Sequence, residues 1–250
     1  DDLGVSALWL SPLYRNPEGR WPGTGGYEYT GYHGYWSISP DEVEPSLGTE
    51  DEVRALVAAA HDRGMRVLLD VVPNHVHEDH PYRAIGAERG WFHENPDCIC
   101  GNYDCPWEDQ IQTCWFAEYL PDLALENPEV MKQVVTDTVG WATRFDVDGF
   151  RVDAVPMMRR DAVRELVWGL RRELEQGLLP FYLVGETFTG PADYDNIAAN
   201  LGPFALDGQF EFPLLWELRN FIAYGSGDAA GLEEVIGLSE DRWGGSGSVM

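Results

Sequence analysis

The chain has 250 residues, enough for one large α/β domain. Its 17 Lys and Arg stand against 43 Asp and Glu, a net charge of −26. That excess excludes nucleic acid and anionic membranes as partners and leaves neutral ligands unaffected.

No apolar run approaches the roughly 18 residues of a membrane-crossing helix, so no membrane association is expected. Asp1-Asp2-Leu3-Gly4 opens the sequence without a Met, which places the expected true start upstream. Residues 5–10 read as a strand ending in Ser11-Pro12. A Gly/Tyr/Trp-rich loop follows over 14–45 and holds the aromatic patch Gly31-Tyr32-His33-Gly34-Tyr35-Trp36. Thr49 and Glu52 form a capping box. They open a helix with the apolar stripe Val53, Leu56, Val57 and Ala60, and Gly64 stops it. The next strand, 66–72, runs into Pro73-Asn74-His75.

Residues 76–120 break the rhythm and read as an excursion from the core. All four cysteines fall there, at positions 98, 100, 105 and 114. An even number in a Gly/Asp/Pro-rich loop predicts two disulfides with three pairings open, Cys98 to Cys100 being disfavoured sterically. A small zinc site is the rival, although the spacing matches no zinc ribbon. Disulfides imply an exported protein. His77, His80 and His93 read as surface loop residues, and His33 as structural.

Asn127 caps the next helix with Pro128 at its first position, and Val134, Thr138, Trp141, Ala142 and Phe145 form its buried face. It leads into Asp148-Gly149-Phe150-Arg151-Val152-Asp153-Ala154-Val155, a buried strand. Val163, Leu166, Val167, Leu170 and Leu174 mark another helix, flanked by the pairs Arg159-Arg160 and Arg171-Arg172, which read as solvated. A strand over 181–184 ends in Gly185-Glu186-Thr187. A further strand is expected over 208–212, a helix over 214–224, and a Gly/Ser turn over the tail 244–250 that opens one more strand. Asp207 and Glu211 carry no assigned chemistry.

Strand and helix alternate about five times, which means a parallel sheet covered by helices. A doubly wound sheet and a (β/α)8 barrel both fit. The reactive side chains, however, follow different strands: Asn74 and His75, then Arg151 and Asp153, then Glu186. Barrel active sites are assembled that way at one rim, and the barrel is favoured.

Arg151 lies two residues before Asp153, on the same face of a strand. Its cation would keep that carboxylate ionised and aimed, as a nucleophile requires. The plainer reading is a structural ion pair at a strand end. Asp153 and Glu186 end consecutive strands, and a pair about 5–5.5 Å apart is the retaining glycosidase geometry. Glu186 has no charged partner in its own motif and would keep a raised pKa suited to the acid.

Asp70-Val71-Val72-Pro73-Asn74-His75, Gly149 to Val155 and Val184-Gly185-Glu186 resemble, in order and spacing, three signature regions of the α-amylase family, the retaining α-glucan enzymes of glycoside hydrolase family 13. Gly31 to Trp36 and Tyr119-Leu120-Pro121-Asp122-Leu123 are similar to two more. The resemblance implies a (β/α)8 TIM barrel over 1–75 and 121–250, with a small domain B over 76–120 after the third strand. It makes Asp153 the nucleophile, Glu186 the acid/base and Arg151 the residue that orients the nucleophile. Tyr35, Trp36 and His75 become substrate-binding residues, and Asp70 a structural support for Arg151. Asn74, Asp122 and the backbone of Met157 become ligands of a structural calcium ion, which favours oxygen donors.

Pro156 and Met157 stand where many α-amylases carry Lys-His, which leaves the subtype open. The family's last signature region, an Asn-His-Asp with the third catalytic carboxylate, is absent. The chain therefore reads as barrel strands two to six with the start of the seventh, and the isolated segment is expected to be weak or inactive. The expected activity is hydrolysis of α-1,4-glucosidic bonds in starch-like glucans or maltooligosaccharides. The alternatives are an α-glucan transferase or a trehalose synthase-like isomerase, suggested by Asp153-Ala154-Val155-Pro156, and an inactive glucan-binding segment. A secreted monomer is expected.

Overall fold

A computed structural model describes residues 3–100, 105–175, 180–243 and 248–249. The stretches 101–104 and 244–247 therefore leave part of the expected excursion and of the expected Gly/Ser turn outside the described residues. In chain order the elements are β1 (Ala7–Leu10), the hairpin pair β2 (Trp21–Pro22) and β3 (Glu28–Tyr29), α1 (Glu50–His61) and β4 (Arg66–Val71). The short helices α2 (Pro81–Gly86) and α3 (Trp107–Gln110) follow, then α4 (Pro128–Phe145), β5 (Gly149–Val152), α5 (Arg160–Leu174) and β6 (Tyr182–Gly185). The chain continues through α6 (Tyr194–Ala198), β7 (Gly208–Gln209), α7 (Phe212–Leu218), α8 (Ala229–Trp243) and β8 (Ser248–Val249).

Six strands pair side by side in the order β1-β4-β5-β6-β7-β8, every pair parallel. Spatial order follows chain order, with helices between most neighbours, so the sheet is part of a (β/α) barrel. Its strands are apolar because both faces are covered: Val67, Leu69, Phe150, Val152 and Leu183 are all buried.

Local signals decide the helix ends. Thr49 accepts from the Glu52 N–H while the Glu52 carboxylate takes the Thr49 N–H, and Gly64 leaves α1 in the left-handed conformation at φ 72°. Val57 and Ala60 turn inward, but Leu56 stays 44% exposed, so the buried stripe is narrower than expected. Asn127 caps α4, and Val130, Met131, Val134, Val135, Thr138, Trp141, Ala142 and Phe145 bury its inner face. Each large apolar side chain so buried stabilises the fold by roughly 1.5–3 kcal/mol.

Strand β7 is shorter than the expected 208–212 because Phe212 already begins α7, with Pro213 in its first turn. Helix α8 was not expected. Gly231 and Gly237 interrupt its pattern, and its buried residues are just Ser239 and Trp243. Arg171 is not solvated: it reaches the Pro203 carbonyl at 2.7 Å and the Asp207 carboxylate at 2.6 Å. Asp207 in turn accepts the Leu183 N–H at 2.9 Å, so the carboxylate is structural.

The excursion leaves and rejoins the sheet at one place, an isolated antiparallel bridge between His75 and Asp122. Its four cysteines form two disulfides, Cys98–Cys105 and Cys100–Cys114, which removes the zinc alternative. The expectation of surface histidines fails. His77 is 0% and His80 3% exposed. The His77 ring packs edge-on to Trp21 at 4.4 Å, and His80 Nδ1 caps α2 by accepting the Tyr82 N–H at 3.2 Å.

Candidate active site

Three central strands set the site. The parallel register places Asp70 beside Arg151 and Val152 beside Gly185. Asp153 and Glu186 therefore leave adjacent strands at the same level. Their backbones are laced together: the Asp153 N–H donates to the Val71 carbonyl at 2.9 Å and the Glu186 N–H to the Val152 carbonyl at 2.9 Å. Ala154 then turns the chain in the left-handed region at φ 53°, uncommon for a residue with a Cβ, and the Val155 N–H reaches the Glu186 carbonyl at 3.0 Å.

Arg151 is 4% exposed and holds three carboxylates. Its Nη1 donates to Asp153 Oδ1 at 2.5 Å and to Asp70 Oδ1 at 2.8 Å, and its Nη2 lies 3.0 Å from Glu186 Oε2. These carboxylates hold the guanidinium above its already high range against the pull of burial, so it is a permanent cation. Asp70 Oδ2 also accepts from the Tyr35 hydroxyl at 2.9 Å and the Trp9 indole at 3.2 Å. Burial pushes Asp70 up to about 7 against the pull of Arg151.

Burial likewise raises Asp153, and Arg151 draws it back. Glu186 is raised by burial and further by the charge of Asp153, with Arg151 opposing. Its side chain is 30% exposed against 11% for Asp153, so Glu186 is the carboxyl open to solvent. The sequence left Glu186 without a charged partner, and the structure gives it one.

Tyr35 is partly buried with its ring 5.7 Å from the Arg151 Cζ. His75 is 3% exposed and pushed down to about 4 by burial, so its ring is neutral. Its Nε2 meets the Tyr35 carbonyl at 3.3 Å, and since a carbonyl only accepts, that nitrogen carries the proton. Trp36 departs from expectation. It is 8% exposed and packs edge-on to Tyr119 at 5.0 Å and to His33 at 4.7 Å, which makes it the anchor of the loop carrying Tyr35. His33 Nδ1 accepts the Tyr35 N–H at 3.1 Å, a structural role. Trp9 was missed altogether. Its signal is its place near the end of the strand that pairs with the Asp70 strand.

Asn74 and Asp122 meet, the Asn74 amide donating to Asp122 Oδ1 at 2.9 Å. His93 Nδ1 lies 2.5 Å from Asp122 Oδ2 and its Nε2 2.8 Å from Glu126 Oε1. Asn74, Gln112, Glu126 and Met157 line one small cavity of about 10 Å³, close to the space of one water. No cluster of three Cys, His, Asp or Glu that could hold a metal exists among the described residues. An ion here would therefore draw on amide, carbonyl and single carboxylate oxygens. That donor set fits a hard cation; His93 lines the same cavity and is bonded to Oδ2 of Asp122, which is not itself part of the lining.

The family sequence model described as Alpha amylase, catalytic domain, matches residues 1–168. An α-amylase of Saccharomycopsis fibuligera is 28% identical over 94% of this chain and 45% of its own length. The α-amylase mde5 of Schizosaccharomyces pombe is 32% identical over 76% of this chain and 35% of its own. The chain thus spans about half or less of the relatives it matches. Among solved structures, an α-amylase of Geobacillus thermoleovorans superposes with a TM-score of 0.78 at 28% identity, over 97% of this chain and 49% of that one.

Proposed function

The chain belongs to the α-amylase family, and from that premise we propose that it carries the nucleophile and the acid/base of a retaining hydrolase acting on α-1,4-glucosidic bonds of starch-like glucans. The observation that carries the reading is Arg151, whose two terminal nitrogens hold Asp153 and Glu186 at the ends of neighbouring strands. Asp153, whose carboxylate Arg151 stabilises against the upward push of burial, attacks the anomeric carbon in its ionised form. Glu186, raised by burial, protonates the departing glycosidic oxygen. A covalent glycosyl–enzyme results, and Glu186 as carboxylate then takes a proton from water, which attacks the same carbon and releases the sugar with its configuration retained.

Tyr35 offers the exposed part of its ring as a platform for the reacting sugar, and the His75 Nε2–H would turn from the Tyr35 carbonyl to a sugar hydroxyl. Asn74, Asp122 and the Met157 carbonyl would hold calcium, which supplies a fixed positive charge that ties the excursion to the barrel. Two disulfides suit an oxidising compartment and support secretion. A neutral glucan suits the charge of −26.

The test uses the complete enzyme and a maltooligosaccharide. Asp153→Asn and Glu186→Gln are each expected to lower kcat by roughly a thousandfold or more. Proton NMR of the first product is expected to show the α-anomer. A β-anomer, or full activity in either variant, would overturn the assignment.

A further inference from the structure

Trp9, the third residue of β1, has no part in the chemistry above. Yet its indole N–H donates to Asp70 Oδ2 at 3.2 Å, and its ring lies 5.4 Å from the Arg151 Cζ. Phe210 supports the indole with ring centroids 5.4 Å apart. The Arg151 Nη1 is contested: it lies 2.8 and 3.1 Å from the two Asp70 oxygens and 2.5 Å from Asp153 Oδ1. Two buried carboxylates compete for one nitrogen. A neutral donor that satisfies Asp70 weakens its claim on that nitrogen and leaves more of the guanidinium to Asp153. Tyr35 gives Asp70 one such donor from the 14–45 loop, and Trp9, itself 49% exposed, gives it another from β1.

We propose that Trp9 is a positioning residue for the glycosidase reaction: its indole N–H satisfies Asp70 so that Arg151 stays on Asp153, while its ring steadies the guanidinium. The inference rests on Asp153 being the nucleophile. The charged and titratable groups around Asp153 are Arg151 on its own strand, Asp70 from β4, Glu186 from β6 and Tyr35 from the loop. Trp9 acts through Asp70 and Arg151.

The experiment measures hydrolysis of a maltooligosaccharide by the complete enzyme, wild type against Trp9→Phe, which keeps a ring and removes the N–H. Loss of one hydrogen bond to a charged group is expected to lower kcat roughly tenfold. KM is expected to stay within about twofold. The acid limb of kcat is expected to move to higher pH, because Asp153 with a weaker hold on Arg151 ionises later. An unchanged kcat with an unmoved limb overturns the proposal. So does a loss of kcat that tracks a loss of folded stability while the limb stays fixed, since that is a packing role. Should Trp9→Phe not fold, Trp9→Gln and Trp9→Leu decide: several-fold faster turnover with Gln, which restores an N–H, supports the proposal, and equal rates overturn it. A wild-type enzyme inactive on every glucan overturns the functional reading and this one together. An active wild type indifferent to Trp9→Phe overturns this one alone.

Discussion

At Arg151 shape counts for more than charge. Two nitrogens serve Asp70, Asp153 and Glu186, and a lysine ammonium cannot span three carboxylates set by three strands. Arg151→Lys keeps the charge and is expected to cost roughly a hundredfold or more in kcat, with little change in circular dichroism. A variant within threefold of wild type would show that charge alone suffices. A second residue-scale expectation concerns His80, which is buried neutral and pushed down to about 3 from its ordinary 6.5. Between those values the unfolded chain binds a proton that the folded chain refuses. Its contribution is therefore whole above pH 6.5 and is lost as the pH falls toward 3. His80→Asn keeps a capping side chain for the Tyr82 N–H and removes the titration. From pH 7 to pH 4 it should gain about 3 kcal/mol relative to wild type in chemical denaturation. Parallel stability curves would refute the burial argument. Arg151 and Asp153 could be paired from sequence because a spacing of two on a strand fixes a shared face. The hold of Arg151 on Glu186 could not, because it depends on the register between β5 and β6. His77 and His80 were misread for a related reason: their segment has a loop's composition, and the Trp21 ring that covers His77 comes from more than fifty residues away in the chain.

Among the elements, β5 and β6 lead into Asp153 and Glu186, and at one point they leave no room between them for a side chain. A Cβ on Gly149 would stand 2.3 Å from the Tyr182 carbonyl oxygen, a backbone atom that cannot swing aside. Gly149→Ala must part the strands, at a cost of about 3 kcal/mol in a urea titration, and should depress turnover further because Asp153 and Glu186 separate. A stability unchanged within 0.5 kcal/mol, on the order of a neutral surface substitution, would mean that the strands yield without cost. Helices α1 and α4 were legible from caps, since Thr49, Glu52, Asn127 and Pro128 act within a few residues of themselves. Helix α8 was not, because its two glycines hide the pattern and tertiary packing of Trp243 against Tyr194 at 5.3 Å holds its end.

For the molecule as a whole, order along the chain became order in space, and alternation of strand and helix was enough to read it. Calcium, if bound as proposed, would add to the shared core that already joins excursion and barrel through Val76, Tyr82, Trp91 and Phe92. A ligand held by the native state alone stabilises it in proportion to the logarithm of its concentration. Chelation by EDTA is therefore expected to lower the melting temperature of the complete enzyme by several degrees, about 2–4 °C per kcal/mol for a domain of this size. The excursion should become protease-sensitive first. Added calcium should reverse both effects. A melting temperature indifferent to EDTA would remove calcium from the account and leave His93, pushed up to about 8 by its two carboxylates against the cost of burial, as the charge that satisfies Asp122.

The bridge between His75 and Asp122 brings the ends of a 46-residue detour to neighbouring positions. Paired residues on antiparallel strands have Cα atoms about 5 Å apart, so the sheet registers that the chain departs and returns, and little about the route between. Closing such a loop costs only about 0.6 kcal/mol more for each doubling of its length. The detour is in that sense a cassette. A segment of different length exchanged at this gate would still have to supply the apolar side chains that Val76, Tyr82, Trp91 and Phe92 now bury in the barrel core.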